Sequence, residues 1–157
     1  MNIPIKIKKL SKDAVIPEYK HSADAGFDLS AAQSIGIYPG QTVKIHTGLA
    51  FEIPEGYEMQ IRPRSGLSAK TAFRVIIGTI DSGYHGEVCV IAENKSHVLY
   101  ECNGCVLGQN QTVQIYRGDR IAQAVIAPVV HATFEQVDEL GDSERGAAGF
   151  GSTGVNG

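Results

Sequence analysis

Apolar and polar residues alternate with a period of two along much of this chain. Ile3, Ile5 and Ile7 are separated by polar or proline positions, and Val43, Ile45, Thr47, Leu49, Phe51 and Ile53 make a longer run of the same kind. Glu87 to Ala92, Val113 to Tyr116 and Ile121 to Val130 are further runs rich in β-branched residues. Alternation sends successive side chains to opposite faces of a pleated strand, so each run predicts a half-buried β-strand. Turn signals separate them: Tyr38-Pro-Gly-Gln, Ile53-Pro-Glu-Gly and Arg117-Gly-Asp. No segment longer than about ten residues keeps a 3.6-residue period. The one helix expected is short, from Ser65 to Thr71. Many short strands at this spacing predict an all-β fold of the sandwich, barrel or jelly-roll kind. Internal repeats and linkers are lacking, so residues 1–157 read as a single domain.

One stretch, 95–117, reads as a hairpin insertion. Asn103-Gly104 sits between apolar runs, and Asn-Gly is a strong signal for a two-residue turn because both positions need positive φ. Such a turn sets Cys102 directly opposite Cys105. The Cys-x-x-Cys spacing with His97 nearby raises zinc, but a structural site takes four ligands and three candidates are local. Two small apolar residues facing each other across a hairpin is the preferred reading.

A chain of 157 residues with 43% apolar content can bury a proper core. Its net charge of −3 argues against a nucleic-acid polymer as partner, so a polyanionic small molecule would need local arginines or a metal ion. No apolar stretch follows the basic residues near Met1, and neither a signal peptide nor a membrane span is expected. Three cysteines, an odd number, fit a reducing cytoplasmic setting better than a disulfide framework.

Four clusters could carry chemistry. In Gly78-Thr-Ile-Asp81-Ser-Gly-Tyr84-His-Gly86 an acid and an aromatic lie in a glycine-studded turn. A carboxylate held rigid and partly buried there suits a general base, although Asp-Ser-Gly is also an ordinary turn. In Arg62-Pro-Arg64-Ser65-Gly66 a guanidinium and the first N–H groups of the short helix suit phosphate oxygens; alternatively Ser65 is an N-cap. Gly118-Asp-Arg120-Ile-Ala-Gln123 reads alone as a turn with an ion pair, and Asp28 in Ala25-Gly-Phe-Asp-Leu faces either a metal or solvent. The five histidines show no metal-ligand spacing and no serine sits in a nucleophile elbow, which leaves metal-assisted attack by water.

The final segment, Arg145-Gly-Ala-Ala-Gly-Phe-Gly-Ser-Thr-Gly154, has glycine at four of its ten positions. Gly149 to Gly154 matches the dinucleotide spacing, but that fingerprint needs a helix after it and an acid about 20 residues on. Only three residues follow, so it is set aside. Consecutive N–H groups in such a stretch can still form an anion-binding nest, while a solvated terminus is the ordinary alternative.

Taken in order, these segments closely resemble the five motifs of trimeric deoxyuridine triphosphatases, over roughly residues 24–154. The resemblance implies a β jelly roll assembling as a homotrimer with sites at subunit interfaces, and hydrolysis of dUTP to dUMP and pyrophosphate. By that similarity Asp81 activates the attacking water. Tyr84 packs on the deoxyribose, and the backbone at Gly78 and Cys89 pairs with the uracil edge. Asp28 and Gln123 hold waters on a Mg²⁺ ion chelated by the triphosphate, Gln123 lying also among the substrate contacts. Arg64, Ser65 and Gly66 contact phosphates. In a flexible arm, 143–157, Arg145, Gly151, Ser152 and Thr153 clamp the γ end and Phe150 stacks on the base. Relatives usually connect the third and fourth motifs by a shorter path. The longer one here implies a phage or prophage origin and a protein partner for the insertion, or a tolerated surface hairpin. Two other functions fit the same fold: a dCTP deaminase, and a nucleotide-dependent regulator acting through 95–117.

Overall fold

A computed structural model describes residues 2–96, 101–102, 105–106, 111–144 and 146–147. The strands are β1 (Lys6–Lys9), β2 (Phe27–Ser30), β3 (Ile35–Ile37), β4 (Thr42–Glu52) and β5 (Tyr57–Arg62). Helix α1 (Ser65–Lys70) follows, then β6 (Phe73–Val75), β7 (Gly78–Asp81) and β8 (Glu87–Asn94). The chain continues through β9 (Glu101–Cys102), β10 (Cys105–Val106), β11 (Val113–Ile115) and β12 (Arg120–Pro128).

Two four-stranded sheets, ordered β1-β4-β8-β6 and β2-β12-β5-β7, supply one shared core. Ile45, Leu49, Val88 and Val90 come from the first; Leu29, Met59, Ile61 and Ile121 come from the second; all are buried. The alternation that predicts β8 is the alternation of its burial, whereas β4 is buried continuously from Thr47 to Phe51 around its bulge. Along β8 the even positions Val88, Val90, Ala92 and Asn94 are buried and the odd ones half-buried or exposed. The predicted 43–53 run is β4, and the predicted 113–116 and 121–130 runs are β11 and β12; β4 and β12 start one residue earlier than predicted, and all three end sooner. The Ile3–Ile7 alternation yields a strand only from Lys6, where pairing with β4 begins at Glu52.

The turns also follow the sequence. Gly40, Gly56 and Gly118 hold φ of 74°, 83° and 89°, the region that their turns require. Cys102 and Cys105 are Cα partners in the β9–β10 pair, as the Asn-Gly signal predicts; Asn103, Gly104 and His97 lie outside the described residues. Buried Asn94 closes the neck of this segment. Its Nδ2 donates to Ile37 O at 2.8 Å and Gln111 O at 2.7 Å, and its Oδ1 accepts from Ser96 N at 2.9 Å. Among the described residues no helix is long and apolar enough to cross a membrane.

Candidate active site

β12 gathers one group of polar side chains. It runs antiparallel between β2 and β5, which makes Gln123 the Cα partner of both Asp28 and Arg62. Asp28 takes one guanidinium on each side. Arg64 Nε donates to its Oδ1 at 2.7 Å and Arg120 Nη1 to its Oδ2 at 2.9 Å. Two arginines thus hold the Asp28 carboxylate, which keeps only part of its exposure. Arg120 pairs with it rather than with Asp119, whose carboxylate instead accepts Tyr116 N–H at 2.8 Å within the turn. Gln123 Nε2 donates to Pro63 O at 2.9 Å, leaving its carbonyl oxygen available. Gly26 makes this approach possible, since a Cβ there would stand 2.7 Å from Ala124 O.

Arg64, not Ser65, caps α1, with extended backbone and no side-chain cap bond; Ser65 is the first helical residue. The charge-assisted contact of Arg64 with Asp28 fixes the chain's entry into the helix. Asp28, Arg64, Ser65, Gly66 and Gln123 line a cleft of about 560 Å³, with Lys20 and Lys70 at its margin. Lys20, Arg64 and Lys70 are matched along this lining by Glu18, Asp24 and Asp28, and it is the Arg64 guanidinium beside the exposed start of α1 at Ser65 and Gly66 that suits a chain of phosphates. These residues offer outer-sphere acceptors, on Asp28 and Gln123, rather than a carboxylate cage. A magnesium ion that arrives with its own phosphate ligands and keeps its waters fits that donor set.

A second region lies where the chain leaves one sheet for the other. β6 pairs with β8 as far as Val75–Ala92, and Ile76 N donates to Ile91 O. The chain then departs, and β7 pairs with β5 instead. Thr47 Oγ1 donates to Val88 O from the β4 side, so alternation turns the N–H and C=O of Cys89 toward the side that β6 has left. Gly78 opens β7 on the far side of the same gap, as the partner of Ile61. Two strand edges that diverge leave a slot bordered by the Gly78 and Cys89 backbone, suited to the edge of a flat ring.

Asp81 ends β7 and is exposed, not partly buried as its surroundings in sequence imply, because β7 is an edge strand. It lines a different cleft of about 570 Å³ with Glu58, His85 and His131. Among the described residues the two clefts share no lining residue. Tyr84 is half exposed; its hydroxyl donates to Glu87 O at 3.0 Å. The hydroxyl end of its ring closes on Gly86, where a Cβ would be 2.5 Å from the hydroxyl oxygen and 2.6 Å from Cζ.

The sequence model of the dUTPase family matches residues 12–154. The deoxyuridine 5'-triphosphate nucleotidohydrolase of Nautilia profundicola is 51% identical over 152 residues, covering 96% of this chain and 98% of that protein. This chain belongs to the dUTPase family. A similar structure is the dUTPase of Staphylococcus bacteriophage 80alpha with dUpNHpp, at 34% identity and a TM-score of 0.84, covering 98% of this chain and all of that one. The dUTPase of phage phi11 of S. aureus, described as showing a species-specific insert, matches with a TM-score of 0.76 at 31% identity, covering 88% of this chain and 98% of that one. As a dUTPase, the chain is a dUTP diphosphatase.

Of the dUTPase residues expected from sequence, Asp28, Arg64, Ser65, Gly66 and Gln123 converge in one cleft, Gly78 and Cys89 flank one gap, and Asp81 stands apart. Arg145, Phe150, Gly151, Ser152 and Thr153 lie outside the described residues. Sequence reasoning missed the Arg120–Asp28 pair, and it missed Glu87. His46 Nδ1 donates to Glu87 Oε2 at 2.8 Å, and Gly48 N donates to Oε1 at 2.8 Å. Burial works to raise the Glu87 carboxyl, but the His46 and Gly48 hydrogen bonds and the His46 and Lys44 charges outweigh it and hold it below the ordinary carboxylate range. Burial, reinforced by the Glu87 carboxylate and opposed by Lys44, pushes the Cys89 thiol up. The local signal for Glu87 is the glycine before it, which leaves room for Tyr84 and aims the strand.

Proposed function

We propose that this dUTPase cleaves dUTP to dUMP and pyrophosphate by attack of an Asp81-activated water on the α-phosphorus, in a homotrimer whose sites draw on more than one chain. The observation that carries the reading is the separation of the two clefts. The phosphate-binding cleft at Asp28, Arg64 and Gln123 and the cleft at Asp81 are built by different elements of one chain, so a site using both is completed by a neighbouring chain. Assembly also supplies the desolvation that exposed Asp81 lacks alone.

In this scheme the uracil edge pairs with the backbone at Gly78 and Cys89, and the Tyr84 ring covers the deoxyribose where a 2′-hydroxyl would clash. Arg64, fixed by Asp28, aims its guanidinium at the phosphates beside the N–H groups of Ser65 and Gly66. Arg120 completes the clamp on Asp28 and keeps that carboxylate from binding the phosphate-seeking guanidinium alone. Water is a poor nucleophile and the triphosphate repels it. A positioned base addresses the first barrier, and preorganised cations address the second. Mg²⁺ bound to the triphosphate, with its waters held by Asp28 and Gln123, supplies charge neutralisation along the phosphate chain. A structural Mg(II) ion described for the phage phi11 dUTPase supports use of this cation in the family. Arg145, Gly151, Ser152 and Thr153 grip the γ end and Phe150 covers the base, as an arm formed by residues 143–157.

The test is pyrophosphate release from dUTP, dCTP, dTTP and UTP with Mg²⁺, with ammonia release from dCTP measured in parallel. Turnover confined to dUTP is expected; comparable turnover of UTP or dCTP sinks the proposed contacts. Asp81→Asn should lower kcat by about 10²–10⁴-fold with nucleotide binding retained, the range for losing a positioned general base. Near-normal kcat in that variant refutes the assignment.

A further inference from the structure

The outer face of the β4–β8 pair carries three side chains that the hydrolytic scheme leaves unused, although it uses the Cys89 backbone. His46 and Cys89 are Cα partners across these strands, and Glu87 lies two residues before Cys89 on the same face. His46 Nδ1 is 2.8 Å from Glu87 Oε2 and 3.6 Å from Cys89 Sγ. One ligand atom from each of the three lies within 4.8 Å of the others.

We propose that His46, Glu87 and Cys89 form a binding site for a thiophilic divalent cation of the zinc type, with a fourth position open to water. The inference is independent of the reaction scheme above. It rests first on ligand chemistry. An imidazole nitrogen, a carboxylate oxygen and a thiolate sulfur form a borderline-soft set that discriminates against Mg²⁺ and Ca²⁺ and favours zinc.

The second ground is spacing. Tetrahedral zinc with bonds of ~2.0 Å to nitrogen and oxygen and ~2.3 Å to sulfur sets neighbouring ligand atoms ~3.2–3.6 Å apart. The nitrogen–sulfur distance already lies in that range. The nitrogen–oxygen distance must open by about half an ångström, which a side-chain torsion of Glu87 provides.

The third ground is support behind the ligands. The register of β4 on β8 shifts between His46 and Leu49, and this bulge brings the Gly48 N–H onto Glu87 Oε1 at 2.8 Å. That bond orients the carboxylate and leaves Oε2 for the cation, as outer groups do in metal sites. Gly48 at φ 68° holds the bulge, and its ideal Cβ position is 2.9 Å from Ala14 Cβ, so the turn has little freedom. The His46 and Glu87 side chains keep 38% and 27% of their exposure, which gives the cation a path in.

Binding exchanges the thiol proton of Cys89, released to solvent, for a metal–sulfur bond; no electron moves. Glu87 carboxylate and Cys89 thiolate then balance the dication, with Lys44 the cation nearest the cluster on β4. A metal here ties β4 to β8 at the residue whose backbone borders the ring slot.

The experiment uses full-length protein carrying Cys102→Ser and Cys105→Ser, which leaves Cys89 as its only thiol. Under a non-thiol reductant it is titrated with Co²⁺, then with Zn²⁺ in competition. One cobalt per chain with a thiolate-to-cobalt charge-transfer band, displaced by zinc, is expected. Cys89→Ser should abolish the band, and His46→Asn and Glu87→Gln should each weaken cobalt binding at least tenfold. The Cys89→Ser and His46→Asn proteins keep the Gly48–Glu87 bond, so they report on the ligands even where Glu87→Gln fails to fold. No band, a band that persists in His46→Asn, or one metal per three chains overturns the proposal.

Discussion

Gly86 shows how a residue with no side chain sets the position of one that has chemistry. Its Cβ would press into the Tyr84 hydroxyl and ring carbons at 2.5–3.0 Å. The tyrosine can swing away from a methyl group more cheaply than the strand can shift, so Gly86→Ala should fold. What it loses is the ring position that the proposed scheme sets over the sugar. The dUTP-over-UTP ratio of kcat/KM should fall about tenfold or more, the scale of one misfitted group in a binding pocket, with melting temperature changed little. An unchanged ratio detaches Tyr84 from sugar discrimination. The sequence shows Tyr84 and Gly86 together but not their contact, since that depends on the hydroxyl reaching Glu87 O. Glu87 has its own residue-scale consequence. Its carboxyl titrates below the ordinary range in the folded chain, so its stabilisation is full above the unfolded-state value and is lost as pH falls through the lowered folded value. In Glu87→Gln, that part of the acid-side loss of melting temperature should disappear; an identical acid limb in both proteins contradicts it.

At the scale of elements, the strands were legible because burial on one face imposes the period-two pattern that defines them. Their partners were not. Asp28 meets Arg120 because β2 pairs with β12, and His46 meets Glu87 because a bulge shifts β4 on β8; long-range register leaves no local mark in sequence. The motif residues of the Arg64 cleft could be found because glycine and proline punctuate them. Asn94 marks the edge of what local reading provides. It looks like a turn residue, yet it is buried and satisfies the carbonyls of Ile37 and Gln111 on either side of the neck. Asn94→Ala strands those carbonyls and should cost about 1–3 kcal/mol in denaturant unfolding, the penalty for burying unpaired polar groups; a loss well under 1 kcal/mol means water replaces the amide. Because that neck is closed from the body side, replacing residues 98–108 with a short glycine linker should leave dUTP hydrolysis within about twofold, as loop tips tolerate. A collapse of turnover would make the hairpin part of the site.

At the scale of the whole molecule, the segment after β12 is the most exposed apolar stretch among the described residues. After Val129 N–H meets Gly56 O, residues 130–144 run on with no strand partner among the described residues, and Val130, Phe134 and Leu140 are 92%, 97% and 89% exposed. Apolar side chains spaced along an extended segment need a surface, and a second copy of the chain is the surface that the proposed homotrimer provides. Two truncations then separate assembly from catalysis. Ending the chain after Asp142 keeps Phe134, Val137 and Leu140 but removes Arg145, Phe150 and the glycine-rich arm. Its sedimentation coefficient should stay close to that of the full trimer, while kcat/KM falls about 100-fold or more through lost closure over the triphosphate. Ending it after Val129 removes the apolar anchors as well, so sedimentation should shift toward monomer at micromolar concentration and residual hydrolysis should drop with dilution. If the longer truncation stays fully assembled, the exposed residues do not hold the oligomer. If the shorter one hydrolyses dUTP normally, the γ-phosphate grip does not reside in the arm, and the cations of the Arg64 cleft must suffice for the whole triphosphate.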